Sequence, residues 1–240
     1  MKAPWPPNGI AVRSCLTTFA ATFTGDALNA KIWDTCYPWE LGAAGCTNFG
    51  NSNEKEWYLG AQDRVGGGVL NLVAQREKTQ GLTSKGAPGE YSCRSGMVTT
   101  FHSFKFEYGM VQITAKIPFG NGLWPALWLA AANEKWPPEI DILEHFNNNV
   151  QGAAYLHPTS GVRQGGEQNM PNLAEGWHTF TLNWTKSQLT WYYDGTEVFD
   201  TTTGVPQQSM YLLMNLADTS TSAGSCDGTM AVKSVKVWQA

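Results

Sequence analysis

Three acids fall within six residues at Glu139-Ile140-Asp141-Ile142-Leu143-Glu144, in a chain where only 15% of residues are charged. Neighbouring carboxylates can divide acid, base and nucleophile roles when their surroundings push their proton affinities apart. The stretch begins as a half-buried strand, with Glu139 and Asp141 on one face and Ile140 and Ile142 on the other. Strict alternation would then turn Leu143 toward the acid face and drive Glu144 into the core. An unpaired carboxylate there costs several kcal/mol or is neutralised. One extra residue near Ile142-Leu143, a β-bulge, returns Leu143 to the core and sets Glu144 beside the other two acids. The competing reading of the hexapeptide alone is an edge strand carrying solubilising charges.

Tryptophans surround this stretch. Trp124 and Trp128 are four residues apart and share a face if they lie on a strand, and Trp136 precedes Pro137-Pro138. Flat indoles stack on the C–H faces of sugar rings, so an aromatic groove beside paired carboxylates suits cleavage of a glycosidic bond. The competing reading of each tryptophan is core packing. Downstream, Asn147-Asn148-Asn149 reads as a turn and Val150 to His157 as a returning strand. A hairpin centred near Asn148 puts His157 across from Glu139, give or take the bulge. The alternative for His157 is a histidine satisfied at the strand's end, and His145 is expected to face away from the acids. The four histidines form no His-x-x-x-His pair, so no metal is expected in the site. A Gly-x-Ser-x-Gly elbow and a glycine-rich phosphate loop are both missing.

The elements that must position these residues read as strands. Leu16 to Phe23, Glu56 to Leu59 and Gly68 to Ala74 are short β-favouring runs. Val111, Ile113, Ala115 and Ile117 alternate with polar residues, as do Phe180, Leu182 and Trp184. Leu189, Trp191 and Tyr193 follow, and Asp194-Gly195 signals a hairpin. Tyr211 to Leu216 and Val232 to Trp238 complete the set. Segments 34–53 and 78–92 read as loops, and 1–15 as an extended lead-in. No stretch carries helical periodicity, and no repeat or composition break divides the chain. One all-β domain over residues 1–240, an antiparallel β-sandwich or barrel, is therefore expected.

Composition narrows the partners. Eleven Trp, 10 Phe, 8 Tyr and 25 Gly suit a rigid sheet protein with tight turns and aromatic platforms. A net charge of −4 argues against nucleic acid or an anionic membrane. No apolar run approaches the roughly 18 residues that span a bilayer. The five cysteines, at 15, 36, 46, 93 and 226, lack Cys-x-x-Cys spacing, and Cys36 with Cys46 is the first candidate for a disulfide. Met1 to Pro7 lack the apolar core of a signal peptide and read as a mature or engineered start, so secretion is an expectation.

These residues resemble glycoside hydrolase family 16, the jelly-roll endoglycanases that include laminarinases, lichenases, agarases and carrageenases. The acidic hexapeptide is similar to the bulged form of the family's active-site signature, found in the laminarinase-like and agarase-like branches. The resemblance runs from about Phe19 to Trp238. Asn53-Glu54-Lys55-Glu56-Trp57-Tyr58 is similar to the family's Asn-Glu-x-Gln-x-Tyr segment, with Glu56 where Gln is common. Ser95-Gly96, Tyr108-Gly109, Gly122 to Trp128, Trp177-His178-Thr179 and Asn215-Leu216-Ala217 follow in family order. Lys233 departs from it, standing where many members have an Asp associated with a structural calcium, which argues against that ion here.

The resemblance implies a concanavalin A-like jelly roll with the cleft on its concave sheet, and a retaining double displacement without a required cofactor. Glu139 would be the nucleophile, Glu144 the general acid/base, and Asp141 the residue between them tuning Glu139. Trp124, Trp128 and Trp136 would stack sugars, with Asn53, Arg76, His157 and Asn215 as polar contacts. The implied substrate is a polysaccharide cut at internal β-linkages, a β-1,3-glucan or a mixed-linkage β-1,3-1,4-glucan, by a secreted monomer. An agarase- or galactanase-type activity and a transglycosylase use the same scaffold and stay open. So does a non-catalytic, lectin-like carbohydrate-binding protein, although that would not need three interior acids.

Overall fold

Alternating apolar and polar side chains leave each strand one face to bury, and stacking two sheets buries them against each other. The computed structural model describes residues 16–39, 53–83, 86–146, 151–219 and 226–239. Its first strands are β1 (Leu16–Thr22), β2 (Glu56–Tyr58), β3 (Asp63–Gly66), β4 (Val69–Gln75), β5 (Thr79–Leu82) and β6 (Pro88–Tyr91). Next come β7 (Cys93–Ser95), β8 (Met97–Thr99), β9 (Gly109–Lys116), β10 (Leu123–Ala131), β11 (Glu139–Glu144) and β12 (Gly152–His157). The last are β13 (Gln164–Gln168), β14 (His178–Trp184), β15 (Leu189–Tyr193), β16 (Thr196–Thr201), β17 (Met210–Asp218) and β18 (Asp227–Gln239).

A ten-stranded sheet runs β16-β15-β14-β9-β18-β4-β7-β2, with β1 also paired to β18 and β3 to β4. A six-stranded sheet runs β13-β12-β11-β10-β17-β8. Neighbours are antiparallel apart from β2 and β7, which run parallel. The two sheets make the jelly-roll sandwich that the sequence led us to expect. Asp194 and Gly195, at φ 47° and 80°, form the tight turn between β15 and β16. Two positive φ values in succession are what a two-residue hairpin requires, and a glycine accepts one without strain.

The expected inward faces are the observed ones. Val111, Ile113 and Ala115 of β9 and Phe180, Leu182 and Trp184 of β14 enter the core between the sheets. They meet Leu127 and Leu129 of β10, Ile140, Ile142 and Leu143 of β11, and Leu212, Met214 and Leu216 of β17. Each large apolar side chain moved from water to this interior contributes about 1.5–3 kcal/mol. A second apolar cluster, with Tyr37, Tyr58, Met97, Tyr211 and Leu213, lies beyond the six-stranded sheet.

The segment 78–92, expected as a loop, folds into the β5–β6 hairpin over much of its length. Its sequence is too polar and glycine-rich to alternate; Trp57 supplies the packing instead. The Trp57 ring lies 5.0 Å from that of Tyr91, and a Cβ at Gly81 would collide with it. Cys93 and Cys226 form a disulfide across 133 residues, fastening β7 to the start of β18. Cys36 is also disulfide-bonded. The expected partner Cys46 lies outside the described residues, as do the lead-in 1–15, the Asn147-Asn148-Asn149 turn and most of the loop 34–53.

The core beneath β11 yields a quantitative expectation. A Cβ added at Gly152 would lie 2.6 Å from Leu143 Cδ1 and 2.6 Å from Met170 Sδ. Gly152→Ala alone should overpack the site and cost about 1–3 kcal/mol. Leu143→Ala alone should open a cavity costing about 2–5 kcal/mol. In urea unfolding, the double variant should lose less than the sum by about 1 kcal/mol or more. Strict additivity would mean that Leu143 does not occupy the space beside Gly152.

Candidate active site

The bulge is present where the broken alternation demands it. On one side β11 pairs with β12 as Glu139 with His157, Asp141 with Tyr155 and Glu144 with Ala153, so Ile142 and Leu143 together oppose Ala154. On the other side Leu143 pairs with Leu127 and Asp141 with Trp128, which leaves Ile142 as the extra residue. Ile140, Ile142 and Leu143 all reach the core, while Glu139, Asp141 and Glu144 face one cleft. Trp191, reaching across from β15, donates its indole N–H to the Asp141 carbonyl oxygen at 2.8 Å. The bulged strand is thereby fastened to the opposite sheet as well as to its neighbours.

Each outer acid receives an indole. Trp124 Nε1–H donates to Glu144 Oε1 at 2.8 Å, and Trp136 Nε1–H to Glu139 Oε2 at 3.2 Å. His157 Nε2 lies 3.6 Å from Glu139 Oε1 and 3.4 Å from Asp141 Oδ2. The three carboxyls sit in little water: Asp141 is 2% exposed and Glu144 9%. Burial raises the proton affinity of all three, because the charged form loses its hydration. Glu144 is pushed up to about 7, with the Trp124 hydrogen bond and the charges of His157 and Arg163 working against the burial. Glu139 is raised well above the usual carboxylate range by burial and then by Asp141, with His157 opposing. Asp141 is raised by burial and then by Glu144, with Arg163 opposing. The three acids titrate as a linked cluster, and indole and imidazole favour negative charge on the outer pair.

The cleft above the acids encloses about 570 Å³. Trp124, Ala126, Trp128 and Ala130 line it from β10, and Tyr211, Asn215 and Ala217 from β17. Tyr37, Trp39, Glu54 and Lys135 also line it, and Trp136 stands beside Glu139. Trp136 is 67% exposed, a flat apolar surface turned to solvent. Trp128 is half-buried, and its N–H donates to Asn215 Oδ1 at 2.7 Å. Asn215 Nδ2–H donates to the Tyr58 oxygen at 3.0 Å, and the Tyr58 hydroxyl donates to Glu54 Oε2 at 3.2 Å. A chain of three hydrogen bonds thus fixes the Trp128 ring beside Asp141.

Most of the expected site residues converge here: Trp124, Trp128, Trp136 and Asn215 in the walls, and His157 against two of the acids. Asn53 is exposed and precedes Glu54, which lines the cleft in its stead. Arg76 is not brought to the cleft. It follows β4 in the ten-stranded sheet, where its backbone N–H lies 3.4 Å from Asp227 Oδ1. An exposed arginine at a strand end gives no sign in the sequence of which sheet its strand will join. His145 is buried against Phe119, away from the acids as expected. Lys233 holds its ammonium 5.6 Å from the Trp177 ring.

Tyr37, Trp39, Glu54, Tyr58 and Tyr211 were missed; the dense aromatics at 37–39 and 57–58 were the available signal. Glu139, Asp141 and His157 offer donor atoms within 4.8 Å of one another, as do Cys93, Asp218 and Cys226, whose two sulfurs are already joined.

The comparisons with known proteins agree with this arrangement. The sequence profile described as Glycosyl hydrolases family 16 matches residues 52–234. The endo-1,3-1,4-beta-glycanase EglC of Rhizobium meliloti (strain 1021) is 29% identical over 94% of this chain and 51% of its own length. The beta-glucanase of Rhodothermus marinus is 31% identical over 68% of this chain and 56% of its own. This chain spans about half the length of the curated relatives it matches. Among solved structures, the endo-beta-1,3-glucanase from Pyrococcus furiosus superposes with a TM-score of 0.76 at 25% identity, covering 93% of this chain and 94% of that one. The profile takes in the acids, the tryptophans and most strands of both sheets, and the chain therefore belongs to glycosyl hydrolases family 16.

Proposed function

We propose that the chain is one catalytic β-sandwich domain that hydrolyses internal β-linkages of a β-1,3-glucan or mixed-linkage β-1,3-1,4-glucan with retention of configuration. The observation that carries this reading is the bulged strand, which presents Glu139 and Glu144 to one cleft with an indole N–H on each. Similarity to endo-1,3-1,4-beta-glycanases and to an endo-beta-1,3-glucanase supports the substrate class. Secretion and a monomeric state belong to the same proposal, since a polymeric glucan is met outside the cell and the cleft is formed within one chain.

In the first step, the Glu139 carboxylate attacks the anomeric carbon while the bond to the leaving sugar oxygen breaks and Glu144 donates its proton to that oxygen. Glu139 must be ionised for this. Asp141 is the most deeply buried of the three, and His157 and the Trp136 N–H favour the charge on Glu139. Esterification of Glu139 removes that charge, so Glu144 can then take a proton from water as the water attacks the anomeric carbon and the bond to Glu139 breaks, restoring its carboxylate. Trp136 and the β10 tryptophans present ring faces to sugar C–H surfaces. Trp128 is oriented by Asn215.

Reducing-sugar release should be measured from laminarin, mixed-linkage β-glucan, agarose and carrageenan. The glucans should be cut, and Glu139→Gln should abolish release while the unfolding transition stays cooperative. Near-normal turnover in that variant would remove Glu139 from its role. NMR of the earliest product should show the β-anomer first; the α-anomer first would mean inversion.

The proton on Glu144 also sets a pH dependence. The alkaline limb of kcat/KM should lie near the value of about 7 to which Glu144 is raised. Between its ordinary 4.5 and about 7, the folded state binds more protons than the unfolded chain. Stability is therefore fully present below the lower value and lost as pH rises through the upper one. The thermal midpoint should fall across that window, less steeply in Glu144→Gln. A residual slope is expected from the other buried carboxyls that are raised, Glu54, Glu56, Asp63, Glu139 and Asp141. A variant whose slope matches the parent chain would show that Glu144 is not the group holding the proton.

A further inference from the structure

Beyond the acids, on the side away from Trp124 and Trp128, the six-stranded sheet continues into β12 and β13. Tyr155 sits at the middle of this flank, paired across the ladder with Asp141 on β11 and with Gly165 on β13. Directly opposed residues on one sheet face have Cβ atoms about 4.5–5.5 Å apart, so the phenol ring adjoins the acid cluster. β13 can lie close there because Gly165, at φ 91°, has no Cβ; one would strike the Ala154 carbonyl. Two residues earlier, the Arg163 guanidinium lies over the Tyr155 ring with its carbon 4.3 Å from the centroid. This is a cation–π contact, and it holds a charge of fixed sign against the cleft.

We propose that Arg163 is a positioning residue for the acid pair, holding a positive charge over Tyr155 on the flank opposite Trp124 and Trp128 and so setting the pH at which Glu144 releases its proton. The idea rests on the reading of Glu144 as the acid/base. The charge of Arg163 favours the ionised forms of both Asp141 and Glu144, against the burial that raises them. Other groups face the pair as well. Glu139 shares its strand, His157 approaches from β12, and Glu167 on β13 places a negative charge near Tyr155. Glu54, Glu134 and Lys135 stand farther along the cleft. His157 sits between Glu139 and Asp141, whereas Arg163 is a permanent charge from a separate strand connection. Its exposure makes the effect modest and sensitive to salt.

The test compares Arg163→Gln and Arg163→Lys with the parent chain by two readouts at low and high salt. One is the pH at which the thermal midpoint falls, and the other is the alkaline limb of kcat/KM on β-glucan. Arg163→Gln should move both upward by roughly 0.3–0.8 pH unit at low salt. Arg163→Lys should restore the parent values, and about 1 M NaCl should erase the difference. Coincident curves for the parent and Arg163→Gln at low salt would overturn the proposal, as would an Arg163→Lys curve that follows the Gln variant. If the parent chain releases no sugar from any glucan, the catalytic reading fails, while the stability curve still decides whether Arg163 acts on the acids.

Discussion

A carboxylate left dry and unpaired among apolar side chains costs several kcal/mol, and the sandwich is arranged around that constraint at one position. Six residues of perfect alternation would have placed Glu144 among the leucines. The strand instead spends one residue, Ile142, on a bulge, and three acids come to share a face while three apolar side chains stay inside. The extra residue needs support, because a bulge breaks the ladder locally. Trp191 provides it from the far sheet, by bonding the very carbonyl that precedes the extra residue. The long aromatic side chains of the ten-stranded sheet therefore do more than fill volume; one of them holds the geometry of the strand opposite.

Putting three acids in one cleft creates a second difficulty, since their charges repel in a poorly hydrated place. The surroundings answer by treating the acids unequally. Asp141, the deepest, is left to desolvation and its neighbours. Glu139 and Glu144, nearer the opening, each receive an indole N–H. Unequal environments are what separate a proton donor from a charged partner when both are glutamates. The tryptophans thus carry two duties through different parts of one side chain, the ring face for the cleft wall and the N–H for the carboxyl beneath.

Much of this was legible in the sequence because it depends on neighbours along the chain. The alternation in β9, β14 and β15 named the inward faces, the Asp194-Gly195 pair named a turn, and the interrupted alternation at Glu144 located the bulge. The His157–Glu139 pairing followed from counting along two strands. Other features depend on residues far apart in the chain and left no local trace. The β5–β6 hairpin is held by Trp57, about 20 residues earlier, so its own polar sequence gave no strand signal. Glu54 is tied to the cleft wall through Tyr58 and Asn215, and Arg163 is held by the Tyr155 ring on an adjacent strand. Arg76 shows the converse: a plausible residue type whose strand went to the other sheet.

The hydrogen-bonded chain from Trp128 to Glu54 has a polarity. An indole can only donate, so Asn215 must turn its oxygen toward Trp128 and its amide hydrogens toward Tyr58. The Tyr58 oxygen then accepts, which leaves its hydrogen for Glu54. The indole thus fixes the sense of the Asn215 amide, and the amide fixes the side from which the Tyr58 oxygen accepts. Asparagine is the residue that transmits this sense. An aspartate of the same shape would accept from both sides and draw the phenol hydrogen away from Glu54. The wall of the cleft is thus a one-way element, specified in the direction of its protons as well as in shape.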